Sequence, residues 1–241
     1  MHNVWTRRRF VALSSAALPA LNLQTQHKTD AKPKKQEQQE EDVSPAEDLM
    51  REHGLLNRVL LIYEESARRI QAKPQEFNPD VLVNSANIIK HFIEEYHEKL
   101  EEDHLFPRFT KAHKLADLVA TLRAQHAAGR VLTQTILDVS SVRVRPLTAA
   151  NERERLLDAI RQFIRMYRPH EAREDTILFP ALHEIMSRHE YDALGEDFER
   201  KEHEMFGKEG FEGMVEKVGG IERELGIYDL AQFTPRTSDG R

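Results

Sequence analysis

An all-α fold is predicted for this chain: an up-down-up-down four-helix bundle from a duplicated helical hairpin, plus a fifth C-terminal helix. Three observations predict it. Apolar residues recur at helical spacing between Ser, Asn and Pro punctuation, and no run alternates with the period of a strand. Two stretches read almost as copies, "HEKLEEDHLFPRF" from His97 and "HEAREDTILFPAL" from His170, 73 residues apart. Leu, Glu, Arg and Ala dominate while aromatic residues make up only 7%, a composition suited to solvent-faced helices on a shared core.

The elements follow in order. Residues 1–23 contain "TRRRFVALSSAALPALNL", in which Arg7, Arg8 and Arg9 precede an apolar run from Phe10 to about Leu23. That run is too short to cross a bilayer comfortably and suits the core of a signal peptide. "TRRRFV" resembles the twin-arginine export signal, with Val11 where Leu is usual. The resemblance implies passage through the twin-arginine translocase to the periplasm or beyond, with no stable membrane span after export. Residues 24–43 are polar and read as a disordered linker. The bundle is expected over 44–188 and a helical extension over 189–241.

Ser44 caps the first helix, Pro45 occupies its first position, and Leu49, Leu56, Leu60 and Tyr63 carry it to about Ala72. Asn78 and Pro79 open a second helix that runs to about Phe106, where Pro107 is expected to break it. A third helix is expected from about Ala112 to Val139, and a fourth from about Thr148 to Phe179, stopped by Pro180. "YDALGEDFERKEHEMF" continues the pattern as a fifth helix ending in the glycines at 207 and 210. The tail "IERELGIYDLAQFTP" adds at most a short helical turn.

Composition narrows the chemistry. The chain has no Cys, which excludes disulfides, thiolate nucleophiles, iron–sulfur clusters and Cys-ligated zinc. A net charge of −6 argues against nucleic acid or an anionic membrane as partner.

The offset of 73 carries His97 to His170, Glu101 to Glu174, Leu105-Phe106-Pro107 to Leu178-Phe179-Pro180, and His53 to His126, without a gap. With 12 His in 241 positions, each coincidence has a chance of roughly one in twenty, so several together indicate duplication. Residues i and i+4 of a helix share a face, so His97 joins Glu101, and His170 joins Glu174. Carboxylates facing a bundle core are prohibitive unless a cation compensates them. Imidazole with carboxylate suits iron, manganese or zinc. Four His and two Glu exceed the needs of one tetrahedral zinc but suit two ions bridged by carboxylates.

The order His53, His97-x-x-x-Glu101, His126, His170-x-x-x-Glu174, with Leu-Phe-Pro after each pair, resembles the hemerythrin HHE cation-binding domain over about Ala46 to Met186. The resemblance implies a metal centre of two Fe ions, non-haem and oxo- or hydroxo-bridged, that binds O2 or a related ligand such as nitric oxide or peroxide. It implies His53, His97, His126 and His170 as terminal ligands and Glu101 and Glu174 as bridges. Glu98 and Glu171 match positions that some branches use as extra ligands. Arg130 stands where oxygen carriers have another His, and Asp175 is an alternative bridge. An enzyme is therefore the rival expectation: a di-iron oxidoreductase with peroxidase, catalase-like or ferroxidase activity.

Other histidines are weighed against this set. His104 gives Glu-x-x-His spacing with Glu101, but its repeat partner is Ile177, which places it on the surface or behind a ligand. His203, on the fifth helix, has no repeat partner and is kept as a candidate fifth imidazole. His91, His113, His183 and His189 are read as surface residues. Tyr96 and Tyr167 precede the two motifs and are read as packing, with a hydrogen bond toward the site as the second reading.

Overall fold

A computed structural model describes residues 43–141 and 149–236; the signal expected over 1–23 and nearly all of the linker expected over 24–43 lie outside them. The described residues from Ser44 onward belong to one compact unit, and among them there are helices and turns but no strand. No helix there is long and apolar enough to cross a membrane.

α1 (Pro45–Ala72) starts where the punctuation places it: Ser44 Oγ accepts from the Glu47 amide at 3.2 Å, with Pro45 in the first turn. After a turn, Asn78 Oδ1 accepts from the Asp80 amide at 3.1 Å and opens α2. That helix is one rod over residues 80–111, made of the α segments Asp80–Ile88, Glu98–Leu100 and Phe106–Lys111 and the π segments Ile89–His97 and Glu101–Leu105. Pro107 therefore does not break it, contrary to expectation. The wide turn sends the Phe106 amide back to the Glu101 carbonyl, and Pro107 falls in the first turn of the next α segment, where a missing N–H costs little.

α3 (Ala116–Ser140) begins four residues later than expected, after left-handed backbone at His113 (φ 52°) and Leu115 (φ 51°). α4 (Ala150–Arg173) tolerates Pro169 inside it and passes into the π segment Glu174–Leu178; its expected start at Thr148 lies outside the described residues. There the Phe179 amide bonds the Glu174 carbonyl at 2.9 Å, the same wide turn at the repeat-equivalent place, before the chain turns at Pro180.

A short α5 (Leu182–Ile185) leads to α6 (Arg188–Phe206), which a reciprocal capping box between Ser187 and Glu190 opens and Gly207 (φ 69°) closes. Gly210 does not end this region. It opens a further helix, α7 (Gly210–Glu224), longer than the short turn the glycine-rich tail suggests, followed by a 3₁₀ turn at Leu230–Phe233.

α1 packs on α2 and α4, α2 on α3, and α3 on α4, so the first four helices close a ring of neighbours around the apolar core. α6 and α7 lie across α1 and α2. Phe206 meets Phe92 and Tyr96 at ring centroid distances of 5.3 and 5.4 Å, and Arg58 of α1 forks onto buried Glu222 of α7. Each fully buried aromatic or aliphatic side chain contributes on the order of 2 kcal/mol, which secures the helices whose polar faces meet inside.

Candidate metal centre

His53 comes from α1, His97 and Glu101 from α2, His126 from α3, and His170 and Glu174 from α4 and its π extension; all six are buried. His53 Nε2 lies 3.1 Å from His97 Nε2, and His126 Nε2 lies 3.3 Å from His170 Nε2. Glu101 directs Oε1 toward His97 Nε2 at 3.9 Å and Oε2 toward His126 Nε2 at 3.4 Å. Glu174 Oε2 stands 3.4 Å from His53 Nε2 and 3.1 Å from His170 Nε2. Each carboxylate thus reaches both imidazole pairs.

The imidazoles are aimed from behind. His97 Nδ1 meets Glu52 at 2.7 Å, and His170 Nδ1 meets Gln125 Oε1 at 2.9 Å. His53 Nδ1 meets Asp175 at 2.7 Å, and His126 Nδ1 meets Glu102 at 3.1 Å. The offset of 73 relates these partners too, Glu52 to Gln125 and Glu102 to Asp175. With Nδ1 engaged outward, each Nε2 faces inward. The Leu-Phe-Pro anchors also find a purpose: Phe106 stacks on His126 and Phe179 on His53, each at 5.5 Å.

This donor set fits metal. Two lone pairs held about 3 Å apart repel unless they share a cation, and nitrogens about 2.1 Å from one ion at a right angle stand about 3.0 Å apart. All four carboxylate oxygens of Glu101 and Glu174 are buried with no hydrogen-bond partner, a cost of roughly 1–3 kcal/mol each that a cation would remove.

Electrostatics in the metal-free protein tell the same story. Burial, reinforced by the charge on Glu174, pushes the Glu101 carboxyl well above the usual range. Glu174 is held low: burial opposes ionisation, but His170 and His53 outweigh it. Burial lowers His53, yet Asp175 and Glu174 overcome it and raise the imidazole to about 10. Burial and then His53 depress His97 to about 3, and burial depresses His126 to about 4. Protons on His53 and Glu101 thus offset part of the charge that a cation would offset.

Several expectations are relocated. Asp175, the alternative bridge, instead orients His53. Glu98 is fully engaged, Oε1 accepting from the Tyr167 hydroxyl at 2.6 Å and Oε2 from Arg130 at 2.8 Å. Glu171, its repeat equivalent, accepts from Asn57 and keeps Oε1 buried without a partner. Burial raises both acids to about 8. His203 is exposed and joins none of the ligand groups, whereas its neighbour Glu202 is buried near Asp48 and Glu52. His104 packs edge-on against Phe198, and His91, His113, His183 and His189 are exposed. Sequence reasoning missed Glu52, Glu102 and Gln125, although each is the immediate neighbour of a matched residue and obeys the repeat. A surface pocket of about 330 Å³ lined by Lys90, Glu94, Lys99, Arg130 and Thr133 reaches the Arg130–Glu98–Tyr167 chain.

Comparison with known proteins agrees with this geometry. The Hemerythrin HHE cation binding domain matches residues 44–141, the part that carries His53, His97, Glu101 and His126. The uncharacterized proteins Mb2018 of Mycobacterium bovis and Rv1995 of Mycobacterium tuberculosis are each 50% identical over 198 residues, covering 82% of this chain and 76% of theirs. No solved structure matches the chain.

Proposed function

The chain belongs to one family with those mycobacterial proteins and carries a hemerythrin HHE cation-binding domain, and on that premise we propose that it holds a non-haem di-iron centre that binds oxygen or a related small molecule such as nitric oxide or peroxide. The observation that carries this reading is the pairing of buried imidazole nitrogens, two and two, with Glu101 and Glu174 each reaching both pairs. His53 and His97 would hold one ion, His126 and His170 the other, with both glutamates between them. The ring of packed neighbours α1 to α4 supports the up-down-up-down bundle. When bound, iron supplies the redox-active site at which a diatomic or peroxide can sit.

The chain's own residues do the rest. Phe106 and Phe179 keep water from the flanks of His126 and His53. The outer partners hold each imidazole by its Nδ1, so that every Nε2 faces the centre. Metal analysis by mass spectrometry tests the reading: about two irons per chain are expected, and one zinc or none overturns it. A visible oxygen band that disappears under vacuum identifies a binding protein.

The enzyme reading has one observation in its favour. Glu98, raised to about 8 by burial, accepts from the hydroxyl of Tyr167, whose ring lies 5.4 Å from that of His170, and such an acid is the kind of proton donor that peroxide reduction needs. Steady peroxide turnover, lost in Tyr167→Phe while metal content is kept, supports this second activity.

Cation uptake carries a pH signature. His53 is charged in the empty site because Asp175 and Glu174 raise it to about 10, and Glu101 is protonated because burial raises it. Binding must displace both protons, so affinity should strengthen as pH rises, with about two protons released per chain. Mn(II) titration in weak buffer with an indicator dye, repeated from pH 6 to 8, measures this; a pH-independent affinity contradicts it.

Export through the twin-arginine translocase is proposed for the segment at 1–23, on the strength of "TRRRFV". Changing Arg7 and Arg8 together to Lys should leave the protein in the cytoplasm by fractionation. An unchanged distribution removes the proposal.

A further inference from the structure

The two halves match in position but not in charge. Resting on the di-metal reading above, we propose that the two metal positions are inequivalent: the His53–His97 position takes the first cation and holds it more tightly, and Glu52 against Gln125 sets the difference.

The outer partners of each pair carry the argument. Behind His97 stands the buried carboxylate of Glu52, while behind His170, at the repeat-equivalent place, stands the neutral amide of Gln125. A carboxylate that accepts an imidazole Nδ1–H makes the far nitrogen a stronger donor; a neutral amide orients the ring without adding charge. The second partners differ in the same sense. Glu102, behind His126, also contacts Lys99 Nζ and Arg130 Nη2, each at 2.7 Å, so its charge is largely offset. Asp175, behind His53, adds its negative charge to the His53–His97 side, reduced because it is a third exposed and screened by solvent.

The surroundings extend the asymmetry. Asp48 and Glu202 group with Glu52, their carboxylate oxygens within 4.8 Å, and Arg51 stands 3.7 Å from Asp48. On the other side Arg130 brings a cation against both Glu98 and Glu102, where the repeat-equivalent Asn57 brings none against Glu171. Every difference makes the His53–His97 side more attractive to a cation. Glu52 and Gln125 are positioning residues: they touch the ring behind the coordinating atom, not the metal.

The experiment loads metal-free protein with Mn(II) and reads electron paramagnetic resonance beside calorimetry. At one equivalent, isolated Mn(II) should dominate, and the spin-coupled pair should grow only with the second equivalent. The two affinities should differ by at least about tenfold. Glu52→Gln should weaken the first step 10- to 100-fold, and Gln125→Glu should strengthen the second about tenfold. The double swap should restore two unequal steps with the order of the positions reversed, which a merely structural defect would not do. Melting of the empty variants verifies that each is folded. A statistical mixture of empty, single and paired chains at one equivalent overturns the proposal, as do swaps that leave both steps unmoved. Saturation at one ion or none overturns the di-metal reading itself and is told apart by its stoichiometry.

Discussion

Replacing Glu101 by Gln should leave a folded protein that retains at most one metal ion per chain. The expectation rests on opposite effects in the empty and loaded states. In the empty protein Glu101 is fully buried, its oxygens have no hydrogen-bond partner, and burial keeps it protonated. A neutral amide of the same shape changes little there, so the melting temperature of the metal-free variant should move by no more than the equivalent of about 1 kcal/mol. In the loaded protein the same side chain faces both imidazole pairs through its two oxygens. Gln supplies no negative charge to either ion. Affinity should fall by more than about a hundredfold, beyond what an outer partner is worth. Metal content of the purified variant, set beside its melting curve with and without Mn(II), reads both effects. Two ions per chain in Glu101→Gln would show that the carboxylate bridges nothing.

Gly129→Ala should be the most damaging single methyl in the described core. Gly129 lies one turn after His126, and a Cβ there would come within 2.0 Å of the Tyr167 hydroxyl oxygen and 2.9 Å of its Cζ. The phenol cannot swing away cheaply, since it is buried, packs on Phe163 at 4.3 Å and donates to Glu98. Overpacking costs about 1–3 kcal/mol and the lost buried hydrogen bond about as much again, while Ala returns roughly 1 kcal/mol of helix propensity. The net loss should be about 2–4 kcal/mol, or some 5–10 °C in melting temperature for a unit of this size. Tyr167→Phe in the same background removes the clashing oxygen and should recover part of it. A melting temperature unchanged or raised in the single variant contradicts this packing.

The inward face was legible because helix periodicity and the repeat report the same residues. Four imidazoles and two carboxylates at matched positions can be read from one strand of letters, since i to i+4 geometry is local. Their partners behind the rings were not legible in the same way. Glu52 and Gln125 precede a histidine by one residue and so point about 100° away from it along their own helix. They face the centre only because a neighbouring helix brings His97 or His170 to them, which no single-helix pattern encodes. The misreading of Pro107 has a similar origin: proline breaks a regular α-helix, but a wide turn at Glu101–Leu105 absorbs it. α7 escaped notice because Gly210, Gly213, Gly219 and Gly220 suggest interruption, yet Phe211, Met214, Val218 and Ile221 bury a continuous stripe.

The division of labour between the inner glutamates and the groups behind the rings bears on how such a molecule can diverge. Glu101 and Glu174 each reach both imidazole pairs, so a change in either is felt on both sides of the centre. Each group behind a ring serves a single imidazole. Between the two repeats those peripheral places can differ while the inner six residues match, as Glu52 behind His97 and Gln125 behind His170 do.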